Sequence, residues 1–172
     1  MHRLPIEPAG GGMWAANAVR ATIVANWREP SGNPGLKKER EKVSGFETVI
    51  PAARQRVYDN WHFAPATRSS GMLYLSGVIG TGRGGKAIEG PEEQFEAAFK
   101  GVELVLGEAG AGFADVVEMT TYHVGLNEHI ATFMKVKDRF VAEPYPAWTA
   151  IGVSELAVPG GLVEIRVIAK QP

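Results

Sequence analysis

The histidines are the side chains of this sequence that could transfer protons near neutral pH, because the unperturbed pKa of imidazole lies close to that range. His62 stands between Trp61 and Phe63, where a histidine can act as an acid or base or can simply be packed. His123 follows Tyr122 in a segment of β-branched and aromatic residues. Because successive side chains of a strand point to opposite faces, we expect one of this pair to face a binding cleft.

Other features argue against a metal, phosphate or thiol site. His123 and His129 are not spaced i, i+4, and neither has carboxylates at a recognisable metal-ligand spacing, so we predict no metal. The run from Gly80 to Gly85 (GTGRGG) lacks the lysine and the serine or threonine of a P-loop, and the spacing of a dinucleotide fingerprint. It is predicted to be a plain flexible loop at a cleft rim. The absence of cysteine excludes disulfides, thiolate zinc sites and cysteine nucleophiles.

An acidic and a basic residue share one face of a predicted strand near the C-terminus. Glu164 and Arg166 are two residues apart, and side chains at that spacing point the same way from a strand. They could form a purely structural ion pair or work together in a site.

Length and composition predict one ordinary globular domain. The chain has 172 residues, 45% of them hydrophobic, which is too short for two comfortable domains. A formal charge of −1 disfavours nucleic acid as a partner, since a polyanion-binding protein carries a basic excess. No apolar run approaches the roughly 18 residues of a membrane span, so we expect a soluble, cytoplasmic protein without membrane partners.

Residues 1–45 differ in kind from residues 46–172. Glycine and proline interrupt the first segment, and its seven Lys or Arg against four Glu leave a charge of +3, whereas the remainder has eleven basic against fifteen acidic residues. The first segment is predicted to be a flexible leader. Alternatively, the codons of Lys37 to Arg40 could spell a ribosome-binding site ahead of Val43, and the leader would then be a mis-assigned gene start.

Apolar periodicity within residues 46–172 predicts strands alternating with two amphipathic helices. One helix opens at Pro91 and ends near Gly107, and a second, capped by Asn127, ends before Pro144. The predicted strands are Phe46–Ile50, Met72–Ile79, Asp115–Val124, Trp148–Val153 and Leu162–Ala169. Two helices cannot cover both faces of a mixed sheet of five or six strands, so we predict an α+β domain with both helices on one face. Another subunit would cover the other face.

Four segments, in this order and spacing, resemble the RidA/YjgF family, also described as endoribonuclease L-PSP. They are LYLSG at 73–77, EQFEAAFKGVELVLGEAGAGFADVVEMTTY at 93–122, YPAW at 145–148 and LVEIRVIA at 162–169. The resemblance implies a chorismate-mutase-like homotrimer whose sheets face a central barrel and whose ligand clefts lie between subunits. In the best-studied branch, the enzyme hydrolyses reactive imino or enamine acids to keto acids and ammonia without a metal or organic cofactor.

Carried over by residue, the resemblance assigns the water-positioning carboxylate to Glu164. The arginine that grips the substrate carboxylate corresponds to Trp148, so the chain looks like a divergent member of the family. Ser76 and Gly77, part of the cleft floor in the family, are retained. The family's tyrosine falls at Phe63. The family's glutamine falls at Val78 and its second-helix asparagine at Met134 or Phe133, so these positions and Phe63 lose hydrogen-bonding capacity. The cysteine downstream of the arginine corresponds to Ala150.

The remaining candidates are judged by whether they would reach the cleft that the resemblance implies. His62 lies where the family's cleft begins, so it is a candidate catalytic residue beside Glu164. His123 is a candidate substrate-binding residue, and Arg68 could supply a replacement positive charge if its strand faces the cleft. Trp148 offers an apolar face for stacking on a flat ligand, or it fills a subunit interface.

Two functions from different classes follow from this pattern. Losing an arginine fork for a desolvated carboxylate should cost on the order of 2 to 5 kcal/mol, so ordinary imino-acid deamination is expected to be weak. One hypothesis is therefore a cofactor-independent deaminase or hydrolase of a small planar enamine or imine. The other is a non-catalytic small-molecule binding or sensing trimer. A ribonuclease is disfavoured by the negative charge of residues 46–172.

Overall fold

In the computed structural model, which describes residues 45–172, three α-helices accompany a seven-stranded sheet. The helices are α1 (Gln55–Trp61), α2 (Pro91–Glu108) and α3 (Leu126–Lys137). The strands are β1 (Glu47–Val49), β2 (Ala66–Ser69), β3 (Met72–Leu75), β4 (Val78–Ile79), β5 (Val116–His123), β6 (Ala147–Gly152) and β7 (Val163–Lys170). The prediction for residues 1–45 lies outside the described residues.

The sheet is mixed, as predicted, but the predicted count of five or six strands was wrong. Its order is β1-β2-β3-β7-β5-β6, and β4 also pairs with β7. Only the β5–β6 pair is parallel. One extra strand arises because Met72–Ile79 is broken at Ser76 and Gly77 into β3 and β4. The other is β2, which turns into β3 through Ser70 and Gly71, both at positive φ as a tight two-residue hairpin requires.

Helices α2 and α3 pack against one face of the sheet, as the amphipathic patterns predicted. The apolar stripe of α2 includes Phe95, Phe99 and Val102, which have no exposed surface. Alternate residues of β7, Val163 and Ile165 among them, meet this stripe from the sheet. Each fully buried side chain of this size contributes roughly 1.5 to 3 kcal/mol relative to an exposed one. This helix-covered face therefore holds the core of the domain.

The helices depart from the prediction in two respects. Helix α3 starts after Gly125, which has φ 68° and caps it without a side-chain hydrogen bond, so the prediction of Asn127 as the cap was wrong. The additional helix α1 was not predicted. It ends at His62, which takes the left-handed conformation (φ 57°) and donates its backbone N–H to the carbonyl of Tyr58.

The opposite face of the sheet, the open face, carries half-buried and exposed side chains. Because partners across a ladder share a face, Thr120 and Arg166 lie together on it, as do Tyr122 and Glu164. Strand β6 forms one edge of the sheet and, apart from Trp148, its residues are exposed. Within residues 45–172, no helix is both long and apolar enough to cross a bilayer.

Candidate functional site

The candidate site is built around Glu164, which points to the open face of β7. Its neighbours across the ladders are Tyr122 on β5 and Ile79 on β4. The carboxylate rests on Gly77, where an added Cβ would lie 2.7 Å from Cγ of Glu164 and would overlap the carboxylate itself. The interruption between β3 and β4 therefore makes the space that the carboxylate occupies.

The electrostatics of Glu164 favour proton transfer. Burial raises the pKa of its carboxyl above the ordinary value, because desolvation penalises the charged form. Among residues 45–172, neither Arg166 nor any other cation forms an ion pair with it. The sequence-based possibility of a Glu164–Arg166 pair is thus not realised. A half-buried carboxyl with a raised pKa keeps its proton to a higher pH than an exposed one, which suits a group that acts as general acid and base.

The carboxylate of Glu164 opens onto a cleft of about 390 Å³. Trp61 and Phe63 form an aromatic wall and remain 69% and 40% exposed. The other lining residues come from α1 and the segment before it, from the β3–β4 interruption, and from two loops: Arg54, Val57, Ser76, Gly77, Val78, Ile79, Thr81, Gly85, Ala157 and Val158. The cleft can therefore stack a flat molecule against aromatic rings while presenting it to one carboxyl group.

A buried glutamine fixes the two loops at the rim of this cleft. The side-chain amide of Gln94, on α2, donates to the carbonyl of Ile88 at 2.9 Å and to that of Gly160 at 3.1 Å. Its carbonyl oxygen accepts the backbone N–H of Leu162, two residues before Glu164. Because every polar atom of this buried amide is used, it holds the loops in one arrangement.

Four of the sequence-predicted site residues meet at this cleft: Phe63, Ser76, Gly77 and Glu164. The hydroxyl of Ser76 donates to the carbonyl of Ala64 at 2.7 Å, so it fixes the segment that carries Phe63. His62, by contrast, is exposed and does not line the cleft. Its predicted catalytic role therefore has no geometric support among the residues that line the cleft.

Arg68 does not face the cleft, and the suggestion that it supplies a replacement charge there has to be corrected. It is paired with Leu73 in the β2–β3 ladder and shares that residue's helix-covered face. Its guanidinium donates to the carbonyl of Ala109, just beyond α2, at 3.3 Å and lies 3.5 Å from the carboxylate of Glu47. Arg68 therefore donates a hydrogen bond to a backbone carbonyl at the C-terminal end of α2.

Trp148 also lies on the helix-covered face, because its partner in the parallel ladder is the buried Met119. Its indole N–H donates to the hydroxyl of Thr121 at 3.0 Å, and its ring stacks on Phe133 with centroids 5.8 Å apart. The ammonium of Lys137 sits 5.6 Å from the ring centroid. Trp148 is thus packed within its own subunit, beside a second pocket of about 360 Å³.

His123 is buried beneath α3, so Tyr122 takes the open face and the assignment of His123 to substrate binding has to be corrected. Its Nε2 is 2.8 Å from the hydroxyl of Thr121, and its ring meets Phe133 edge-on. Burial, with a smaller contribution from nearby His129, lowers the pKa of His123 to about 4. It is therefore neutral at physiological pH.

Sequence reasoning missed the residues that α1 brings to the cleft. Arg54, Val57 and Trp61 line it, and with Tyr58 they are spaced i, i+3, i+4 and i+7, the signature of one helix face. This spacing can be seen in the sequence and could have predicted the helix, although α1 is only seven residues long. Among the described residues, no group of three or more His, Asp or Glu side chains is arranged to hold a metal ion.

Comparison with known proteins gives a consistent result in sequence and in structure. The family model described as Endoribonuclease L-PSP matches residues 53–171. The chain is 36% identical over 125 residues to the RutC family protein YjgH of Escherichia coli (strain K12), covering 72% of this chain and 94% of that protein. It is 30% identical over 96 residues to the 2-iminobutanoate/2-iminopropanoate deaminase of Dermatophagoides farinae, covering 55% and 74%.

Two solved structures share the fold. A protein named YJGH superimposes with a TM-score of 0.69 at 35% identity, covering 75% of this chain and 98% of that chain. The protein RidA of the Antarctic bacterium Psychrobacter sp. PAMC 21119 gives a TM-score of 0.62 at 28% identity, covering 74% and 99%.

Proposed function

This chain belongs to the RidA/YjgF family, described as Endoribonuclease L-PSP, and on that premise we propose that it is a cofactor-independent deaminase or hydrolase. Its substrate is a small planar enamine or imine. The observation that carries the proposal is Glu164: a half-buried carboxyl with a raised pKa and no counter-ion among residues 45–172, at the floor of an aromatic cleft.

The proposed reaction needs one group that can both accept and return a proton. The ionised carboxylate of Glu164 takes a proton from water as the water oxygen bonds to the carbon of the C=N group. The protonated carboxyl returns that proton to the nitrogen, which gives a neutral carbinolamine. The carboxylate then takes the hydroxyl proton and delivers it to the amine nitrogen, so that the C=O bond forms as the C–N bond breaks and ammonia leaves. Water and imine are thereby converted to carbonyl compound and ammonia. An enamine first takes a proton on carbon and enters the same sequence as the imine.

The cleft supports a flat substrate rather than the usual imino acids of the family. Trp61 and Phe63 provide apolar faces, and Phe63 and Val78 offer no side-chain hydrogen bonds. Trp148 stands where the family has its carboxylate-binding arginine, and its single N–H is already bonded to Thr121. The second pocket therefore lacks the bidentate clamp that family substrates use.

The same proposal includes a homotrimer with the cleft between subunits. Strand β6 is an edge strand with the sequence AWTAIG, which contains no charge or proline that would block further pairing. The open face also carries the partly exposed apolar side chains of Tyr74 and Ile151. A second copy would cover both features. Light scattering coupled to size exclusion should give three times the mass of one chain, and a stable monomer would remove the intersubunit cleft.

The direct test is ammonia release from a panel of imino acids, open-chain enamines and cyclic enamines. Glu164→Gln should lower kcat/KM by roughly 100-fold or more for any active compound, because the general acid and base is lost. The matched control is Glu118→Gln, another carboxylate of the sheet, which accepts a hydrogen bond from Thr120 and does not line the cleft. Turnover by Glu164→Gln equal to that of the wild type would refute the mechanism.

A non-catalytic binding or sensing trimer is the second candidate. It is favoured by the apolar residues Phe63 and Val78 in the cleft, which leave few side-chain groups to orient a reaction. This function predicts that compounds of the panel bind saturably without releasing ammonia, in the wild type as in Glu164→Gln.

A further inference from the structure

The Glu164 cleft contains a cation that no described residue neutralises. Arg54 precedes α1 and lines the cleft together with Glu164. Within residues 45–172, its guanidinium makes no hydrogen bond to a side chain and no ion pair. Because a guanidinium has five donors in a planar fork, such a group is equipped to bind an anion.

Packing rather than charge holds Arg54 in this position. Its Nη2 lies against α2 at Gly101, where an added Cβ would come within 2.9 Å of that nitrogen. Arg54, Val57 and Val105 line a small recess beside the cleft. The recess and the cleft share Phe63 and Ser76 in their linings. The absence of a side chain at Gly101 therefore lets the guanidinium sit against the helix while its remaining donors stay available.

The cleft keeps Arg54 and Glu164 as separate charges. They are not within ion-pair distance, and the pKa of Glu164 is raised by burial, with no opposing effect from Arg54. A ligand that enters the cleft can therefore place a negative group against Arg54 while its reactive carbon faces Glu164. The rings of Trp61 and Phe63 line the same cleft as these two groups.

We propose that Arg54 is the anion-binding residue of this cleft and that the ligand is a planar carboxylate, with its carboxylate on Arg54 and its flat apolar part against Trp61 and Phe63. This inference rests on the proposed function for the role of Glu164, but the binding site itself does not require turnover. Arg54 thereby supplies, from the same subunit as Glu164, a charge that Trp148 cannot provide. A carboxylate suits the site better than a phosphate, because the second charge of a phosphate would be repelled by Glu164.

The test uses benzoate as the probe, with benzamide and phenyl phosphate for comparison, in titration calorimetry on the full chain. We expect benzoate to bind the wild type at least about tenfold more tightly than either comparison compound. Arg54→Gln should weaken benzoate by roughly tenfold or more and leave benzamide unchanged, and Arg54→Lys should recover part of the loss. The control is Arg56→Gln, which removes the same charge two residues away from an exposed position outside the cleft.

The outcomes separate this proposal from the proposed function. Equal benzoate affinity in the wild type and Arg54→Gln, an equal loss in Arg56→Gln, or no benzoate binding by the wild type would overturn it. Tighter binding of phenyl phosphate would overturn the choice of carboxylate. Glu164→Gln should bind benzoate at least as well as the wild type while losing ammonia release. If Glu164→Gln keeps its turnover but Arg54→Gln loses benzoate, the catalytic assignment fails and the anion site stands.

Discussion

Glu164 and Trp148 lie on opposite faces of one sheet, and the pockets beside them treat their polar groups differently. In the Glu164 cleft, the carboxylate and the guanidinium of Arg54 have no charged partner among residues 45–172. In the pocket beside Trp148, the indole N–H is bonded to Thr121 and the Lys137 ammonium to Asp138 at 2.8 Å. Buried polar groups without partners are costly unless a ligand supplies a partner, so the difference supports the proposal that the cleft binds the substrate.

The comparison also explains how the domain accommodates Trp148, which the resemblance places at the family's arginine position. Trp148 extends a cluster of rings that includes Phe133 and Phe99, and its N–H uses a hydroxyl already present on β5. The substitution therefore adds to the core rather than creating a stacking surface. Recognition of a negative group then has to come from elsewhere, and Arg54 is placed to provide it.

The largest effect on stability is expected from Trp148→Ala. Loss of a large, half-buried ring and of the hydrogen bond to Thr121 should lower the free energy of unfolding by about 4 kcal/mol. Trp148→Phe should cost less than half of that, since the ring contacts are largely kept. Urea unfolding at one fixed protein concentration measures both. If Trp148→Ala instead leaves stability intact and abolishes activity, the assignment of this pocket to packing is wrong.

Much of the fold could be predicted from the sequence, because the pattern that determines it is local. The stripe of Phe95, Phe99 and Val102 defines α2, and the alternation of β7 gives its buried face directly. Helix α1 was missed because seven residues with one short stripe are a weak signal without tertiary contacts. The split of Met72–Ile79 depends on Gly77 accommodating the carboxylate of Glu164, a contact between residues far apart in the sequence.

The site was predicted less completely than the fold, for a related physical reason. Glu164, Ser76 and Gly77 were found through the resemblance, and they meet at the cleft. The face of Trp148 could not be read from the sequence, since it depends on the register of the parallel β5–β6 ladder. His123 or Tyr122 had to face the core, but alternation alone does not say which one. Arg54 carries no motif, and only the contact of its guanidinium with α2 at Gly101 points to the role proposed above.

His123 provides a test that uses pH. Its pKa is lowered to about 4 in the folded protein, against 6.5 for an ordinary histidine. Between these two pH values, the unfolded state binds a proton more readily than the folded state does. Its contribution to stability is complete above about pH 6.5 and is lost as the pH falls towards 4, on the order of 3 kcal/mol in total.

The variant for this test is His123→Gln, which can still bond to Thr121 but does not titrate. The difference in unfolding free energy between the wild type and His123→Gln should shift in favour of the variant as the pH falls from 6.5 to 4, and level off below 4. His62→Gln, at an exposed position, is the control and should lack a shift of that size. A wild-type curve parallel to that of His123→Gln over this range would show that His123 is not buried in its neutral form.

The smallest effect on the free energy of unfolding is expected at Glu164. Its pH dependence has the opposite sign to that of a carboxylate in a buried ion pair. Because the pKa of Glu164 is raised, the folded protein holds the carboxyl proton more tightly than the unfolded chain does. Stability from this group is present below the unfolded pKa and is lost as the pH rises through the folded value. Glu164→Gln should therefore raise the free energy of unfolding near pH 7, by no more than about 1 kcal/mol, and the gain should vanish in acid. If Glu164 is catalytic, Glu164→Gln should be less active and more stable than the wild type. Destabilisation of Glu164→Gln at pH 7 would mean that the carboxylate has a partner and that the two pockets do not differ as described.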